Sequence, residues 1–151
     1  MEIDTVKKAA EAREISKVVI ASRGGKTALK LAESLEKGVQ VISISEFSYS
    51  DDIKKKMKKL KIVSVENADL LIQDSKEMKE SLLKQGVGVK AAMEAAAIAQ
   101  NRGLVEGEFM AIAGSKSSLD TLLLVSVNHS KEDLPPIDQV SIKEILAAPK
   151  P

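Results

Sequence analysis

Apolar and polar positions along the chain alternate between two periods. Asp4 stands where a helix cap belongs, and Val6, Ala9 and Ala10 follow at helical spacing, which predicts a helix to about Ile15. Val18, Val19, Ile20 and Ala21 form a continuous apolar run, the pattern of a strand buried on both faces. From Thr27, the positions of Ala28, Leu29, Leu31, Ala32 and Leu35 are helical again, and Gly38 marks the stop. Val41, Ile42 and Ile44 predict a second strand, followed by a polar turn to Ser50. Asp51 or Asp52 is then expected to cap a helix with Ile53, Met57 and Leu60 on one side. A third strand is expected over Ile62–Val65. Ser75 opens a helix to about Gln85, Gly86–Gly88 interrupt it, and an Ala-rich helix spans Val89–Asn101 and ends near Gly103. Phe109–Ala113 and Thr121–Val127 read as the fourth and fifth strands, and Ile142–Leu146 as a short apolar segment after Pro135 and Pro136.

Strands alternating with helices of ten or more residues imply βαβ units and a mainly parallel sheet. The fourth and fifth strands are too close in sequence for a parallel crossover, so the fifth is expected to run antiparallel to the fourth. Neither a repeat nor a linker divides the chain, and residues 1–151 are expected to form one α/β domain.

Composition narrows the function classes. The chain has 151 residues, 44% of them hydrophobic and only 2% aromatic, so the core must be aliphatic. A net charge of +1 gives no overall attraction to nucleic acid or anionic membrane, and one Tyr and two Phe are too few for a base-stacking platform. With no Cys, disulfides and thiolate metal sites are excluded. With His129 as the one histidine, no metal is expected. No apolar run approaches the ~20 residues of a membrane span, and the acidic start Met1–Asp4 is no signal sequence, so a cytoplasmic address is expected. The lysines at 54, 55, 56, 58 and 59 read as the solvated face of the third helix.

Two familiar motifs fail on context. Gly25-Lys26-Thr27 ends like a P-loop, but the position five before Gly25 is Ile20, inside a strand, where that loop needs its first glycine. Gly86-Val87-Gly88-Val89-Lys90-Ala91 fits G-x-G-x-x-A, yet a helix precedes it where dinucleotide binding needs a strand. The segment that remains is Ser22-Arg23-Gly24-Gly25-Lys26-Thr27, between the carboxyl end of a buried strand and a helix start. Its glycines can turn backbone amides toward an anion, the helix N-terminus adds partial positive charge, Ser22 and Thr27 offer hydroxyls, and Arg23 and Lys26 offer countercharge. The plain alternative is an ordinary turn in which Thr27 caps the helix.

The stretches KVVIASRGGKTA (17–28), VISI (41–44), AMEAAAIAQNRGL (92–104), FMAIAG (109–114), SSLDTLLLV (117–125) and EILAAPKP (144–151) together resemble the C-terminal domain of pyruvate kinase, above all the small stand-alone archaeal and bacterial proteins of that fold. The resemblance implies a three-layer α/β/α domain with a five-stranded mixed sheet of order 3-2-1-4-5 and strand 5 antiparallel. It implies that strands 1 and 4 are neighbours whose following helices leave on opposite faces, a switch point where open sheets bind ligands. It further implies a phosphate site on two loops, Ser22–Thr27 and Gly114-Ser115-Lys116-Ser117-Ser118-Leu119-Asp120-Thr121, with Ser22, Gly24, Gly25, Thr27 and Gly114 matching residue by residue. The relatives' longer glycine-rich segment after the second strand is cut here to Ser45–Ser50, and with no catalytic barrel among these 151 residues, phosphoenolpyruvate chemistry is not expected of them.

The expected function is a binding module for a phosphorylated small molecule, a sugar phosphate or a mononucleotide such as flavin mononucleotide (FMN). Asp120 and Thr121 would face the rest of the ligand, and Phe47 and Tyr49 would cover a ring or pack. A side chain at Gly25 would occupy the phosphate position, so Gly25→Asp should expel the ligand. Two alternatives are an enzyme, flavin-dependent or hydrolytic, drawing on His129, Asp120, Glu94 and Glu46, and a scaffold. A homo-oligomer is expected, with Met78, Leu82, Leu83, Met93 and Ile98 as candidate interface residues.

Overall fold

The structure is a computed structural model that describes residues 2–68, 87–115, 118–128 and 136–148. The chain runs α1 (Ile3–Ala12), β1 (Lys17–Ala21), α2 (Lys26–Ser34), β2 (Gln40–Ile44), α3 (Asp51–Lys59), β3 (Val63–Val65), α4 (Val87–Asn101), β4 (Glu108–Ser115), β5 (Ser118–Val127), a 3-10 turn (Pro136–Gln139) and β6 (Val140–Ala147). The helix expected over 75–85 and the positions of Met78, Leu82, Leu83 and His129 lie outside the described residues.

The fold class is α/β with a mixed sheet of order β3-β2-β1-β4-β5-β6. Strands β1 to β4 are mutually parallel, while β5 pairs antiparallel with β4, as the short connection requires, and β6 antiparallel with β5. The sequence reading gives five strands; the sheet has six, because the apolar segment Ile142–Leu146 extends into β6. Two register shifts against β5 put Lys143 and Leu146 out of the ladder and break the alternation that marks a strand. The outer side of β6 pairs with no strand among the described residues.

Alternate strand residues build two cores. Val18, Ile20, Val41, Met110, Ile112, Leu122 and Leu124 pack with α1, α2 and α3 on one face, whereas Val19, Ile42, Phe109, Ala111, Ala113, Leu123 and Val125 pack with α4 on the other. The crossovers from β1 to β3 step in one direction and the return to β4 steps back, so right-handed connections place α4 opposite α2 and α3. The element on that opposite face precedes β4; β4 itself is followed by a hairpin to β5, not by the helix expected there.

Every residue of α4 from Ala92 to Ala99 is buried, and its alanines lie over Ala111 and Ala113, small residues that let helix and sheet approach closely. Met93 and Ile98, candidate interface residues in the sequence, are 2% and 4% exposed and so form core. Helix ends follow local chemistry. Asp4 does not cap α1 but sits in its first turn, paired with Lys8 at 3.1 Å. Ser50, not Asp51 or Asp52, caps α3, its Oγ accepting the Ile53 N–H at 3.3 Å, and both aspartates lie in the first turn. At the end of α4, Leu104 N–H returns to Ala99 O and Gly103 N–H to Gln100 O, with Gly103 at φ +71°, the paired bonds of a Schellman stop. The lysine face of α3 is exposed; Lys54 pairs with Glu66 and Lys56 with Asp52. Among the described residues no helix is long and apolar enough to cross a membrane.

Candidate functional site

The strand order reverses between β1 and β4, which are hydrogen-bonded neighbours, so the segments that follow them meet at one rim of the sheet. From β1 comes the turn Ser22–Gly25. From β4 comes a hairpin rather than a loop: β4 reaches Ser115, β5 starts at Ser118, and Gly114 pairs with Leu119 after a bulge at Ala113/Gly114. Gly114, Ser115, Ser118, Asp120 and Thr121 are therefore strand residues, while Lys116 and Ser117 lie outside the described residues. The Gly/Ser-rich composition reads as loop, but cross-strand pairing carries both strands past the end of β1.

The β1–α2 turn holds its own shape. Gly25 is the N-cap of α2 with φ +84°, the left-handed conformation that glycine alone adopts freely. Its N–H donates to Ser22 Oγ at 3.2 Å. A Cβ on Gly25 would stand 2.6 Å from Met57 Cε, 2.7 Å from Ile53 Cγ2 and 3.4 Å from Tyr49 Cδ1. That position faces the interior, so Gly25→Asp would place its charge against α3 and not at a ligand. Gly24, by contrast, is exposed with nothing within 4 Å of a Cβ. Arg23 and Lys26 are also exposed, and the Arg23 guanidinium lies 5.4 Å from the Phe47 ring centroid, over the ring of a side chain that is itself half exposed. Thr27 is inside the first turn and does not cap the helix.

Charge separates α2 from its neighbours. α3 has its serine cap and two aspartates. The start of α4 has Asp120 of β5, whose Oδ1 lies 2.9 Å from the Cβ position of Gly88, and Asp120 accepts a hydrogen bond from Thr121 Oγ1 at 2.8 Å. α1 has Asp4. α2 has neither a side-chain cap nor an acid in its first turn, and its first-turn amides, from Lys26 to Ala28, have no intrahelical acceptor. Two cations, Arg23 and Lys26, flank this end, where the helix dipole disfavours positive charge unless an anion joins them.

Behind the turn lies a group that the sequence does not announce. Tyr49, 4% exposed, donates its hydroxyl proton to Ser22 O at 3.0 Å. Its one proton thus spent, it accepts from the fully buried Ser43 Oγ at 2.7 Å. Ser45 Oγ donates to Arg23 O at 3.1 Å and accepts from Phe47 N–H at 3.0 Å. Tyr49 N–H donates to Glu66 Oε1 at 2.6 Å, and Lys54 Nζ stands 3.1 Å from Glu66 Oε2. Burial pushes the Tyr49 phenol above its usual range. The one sequence signal for this network is Ser43 itself, a polar residue inside an apolar strand run.

Glu66 is held below the usual carboxylate range chiefly by the Tyr49 N–H and also by Lys54, against a smaller opposing effect of burial. A depressed folded-state pKa contributes stability above the unfolded value, near 4.5, that is lost as pH falls through the lowered value. The Tm of wild type should therefore fall more steeply than that of Glu66→Gln as the pH drops below about 4.5. Parallel acid limbs in calorimetric scans of the two proteins would contradict this.

The other candidates are placed as follows. Glu94 is buried in α4 and ion-paired with Lys90 at 2.9 Å, and Glu46 is exposed. A cavity of about 360 Å3 opens at the opposite, amino rim, lined by Ile15, Leu35 and Val39 and by Glu11, Glu14 and Glu36. There a hydrogen bond with Glu36, and then its charge, raise the Glu11 carboxyl above its usual range. No group of three or more His, Cys, Asp or Glu among the described residues is placed to hold a metal ion. Comparison of the sequence with models of known families gave no match, and comparison with curated proteins gave none.

Proposed function

We propose that the chain is a binding module of the pyruvate kinase C-terminal type, which holds the phosphate of a small ligand, a sugar phosphate or a mononucleotide such as FMN, at the start of α2. One observation carries this reading: among the described residues, α2 alone of α1 to α4 begins without a protein anion, and it begins between two exposed cations, Arg23 and Lys26. A phosphate there would accept from the first-turn amides and the Thr27 hydroxyl and neutralise both side chains. Ser22 and Gly25 shape the turn. Gly114, Ser115 and Ser118, at the adjoining ends of β4 and β5, would belong to the second wall, and Asp120 would close the α4 side; Thr121 is fully buried against Gly88 and would not reach the ligand, and Lys116 and Ser117 lie outside the described residues. The strand reversal between β1 and β4 supports the placement. No reaction is part of the proposal.

Titration calorimetry with FMN, adenosine monophosphate and fructose 1,6-bisphosphate tests it. At least one should bind to the wild type. Gly24→Asp, which adds a negative charge where there is open space, should weaken that ligand tenfold or more while leaving Tm unchanged. Arg23→Ala and Lys26→Ala should each weaken it about three- to tenfold, in line with losing one charge-assisted hydrogen bond of roughly 1 kcal/mol. Unaltered affinity in Gly24→Asp would place the ligand elsewhere.

A further inference from the structure

We infer that Tyr49 is the positioning residue of this site: its phenol, clamped from behind, fixes the β1–α2 turn in the shape that leaves the first-turn amides of α2 open. The inference rests on the proposed anion site for its consequence, but its structural core stands on contacts alone. The Tyr49 ring lies under Gly25, with Cδ1 3.4 Å from where a Cβ would be, so the ring forms part of the floor that only glycine fits. The hydroxyl reaches past that floor to the Ser22 carbonyl at 3.0 Å, and the Ser22 side chain in turn accepts the Gly25 N–H at 3.2 Å. Ser22 thus links Tyr49 to the cap residue through two bonds.

The phenol has no freedom to turn away. Ser43, 0% exposed on β2, donates to it at 2.7 Å, and the backbone of Tyr49 is fixed at the other end by Glu66. Ser45 gives the turn a second anchor at Arg23 O. The segment Ser45–Ser50 is short, yet Ser45 and Tyr49 each hold a carbonyl of the β1–α2 turn from the side away from solvent. Removing the phenol oxygen would leave a buried carbonyl and a buried serine hydroxyl without partners, and buried polar groups regain a partner by moving. The group most free to move is the turn.

Tyr49→Phe tests this, since it keeps the ring and deletes the oxygen. Residue-resolved amide exchange, measured by NMR without ligand, should show Gly25 exchanging at least tenfold faster than in wild type while the amides of Ala95 to Ala97 in α4 keep their rates. Ile98→Val, which thins the core on the other face, serves as the control for general loss of stability and should leave Gly25 unaffected relative to α4. If Tyr49→Phe does not fold, Ser43→Ala removes the bond that orients the phenol and should accelerate Gly25 by a smaller but measurable factor. Unchanged Gly25 exchange in the folded variant overturns the inference. In the same variant, affinity for whichever phosphate probe binds the wild type should fall fivefold or more; equal affinity also overturns it. Should no probe bind the wild type, the anion site fails, and the exchange result alone still decides the role of Tyr49.

Discussion

Gly25→Ala is expected to destabilise the protein by about 3 kcal/mol, the sum of two costs. The backbone cost arises because φ is +84°, where a Cβ meets the neighbouring carbonyl; that conformation costs an ordinary residue roughly 1–2 kcal/mol. The packing cost arises because the new methyl would stand 2.6 Å from Met57 Cε and 2.7 Å from Ile53 Cγ2. Met57 can swing its terminal methyl, but it is 1% exposed and has little space to enter, and Ile53 Cγ2 is fixed to a branched carbon. Overpacking of this kind costs about 1–3 kcal/mol. For a chain of this length the two together should lower Tm by about 6–12 °C. Gly24→Ala, one residue earlier and open to solvent, should be near neutral, so the pair of melting curves separates strain from any general sensitivity of the turn. Equal curves for the two variants would mean that the turn does not pack on α3 as described.

The second large effect is expected at Gly88. A Cβ there would overlap Thr121 Oγ1 and stand 2.9 Å from Asp120 Oδ1 and 3.2 Å from Thr121 Cβ. Thr121 is fully buried on β5 and cannot yield, so Gly88→Ala should cost about 2–3 kcal/mol and about 5–10 °C in Tm. Thr121→Ala removes the obstructing hydroxyl and gives up its hydrogen bond to Asp120. In wild type that change should be destabilising; in the Gly88→Ala background it should cost far less or restore stability. A coupling of about 1–2 kcal/mol in denaturant titrations of the four proteins is expected. Strict additivity would show that α4 and β5 do not meet here.

These two glycines mark where the sequence speaks and where it is silent. The runs 18–21 and 109–113 announce buried strands because both faces are covered and every position is apolar. The antiparallel fifth strand follows from chain length alone. Gly25 is legible as a turn residue, but the inward aim of its missing side chain depends on α3, more than twenty residues away. Gly88 reads as an interruption between helices; it lies in the first turn of α4, and the reason for a glycine is Thr121, over thirty residues on. The stretch from Gly114 to Thr121 looks like a loop because serine, lysine and aspartate are poor strand formers, and tertiary pairing of β4 with β5 outweighs that preference. Ser43 lies in β2, Tyr49 in the connection from β2 to α3 and Glu66 just past the end of β3, and nothing local in the sequence links them. The fold class was legible from period and spacing. The buttress behind the turn was not, because long-range hydrogen bonds leave no periodic trace.

The outer edge of β6, which pairs with no strand among the described residues, has a further consequence. On β6, Lys143 sits at one interruption of the ladder and Glu144 beside it, and the two are tied back to Glu108 and Arg13 within the same molecule. A second copy docking edge to edge about a two-fold axis at either residue would set ammonium against ammonium or carboxylate against carboxylate, on a strand too kinked to offer an unbroken row of donors and acceptors. Growth of one continuous sheet through successive molecules at this edge is thereby discouraged.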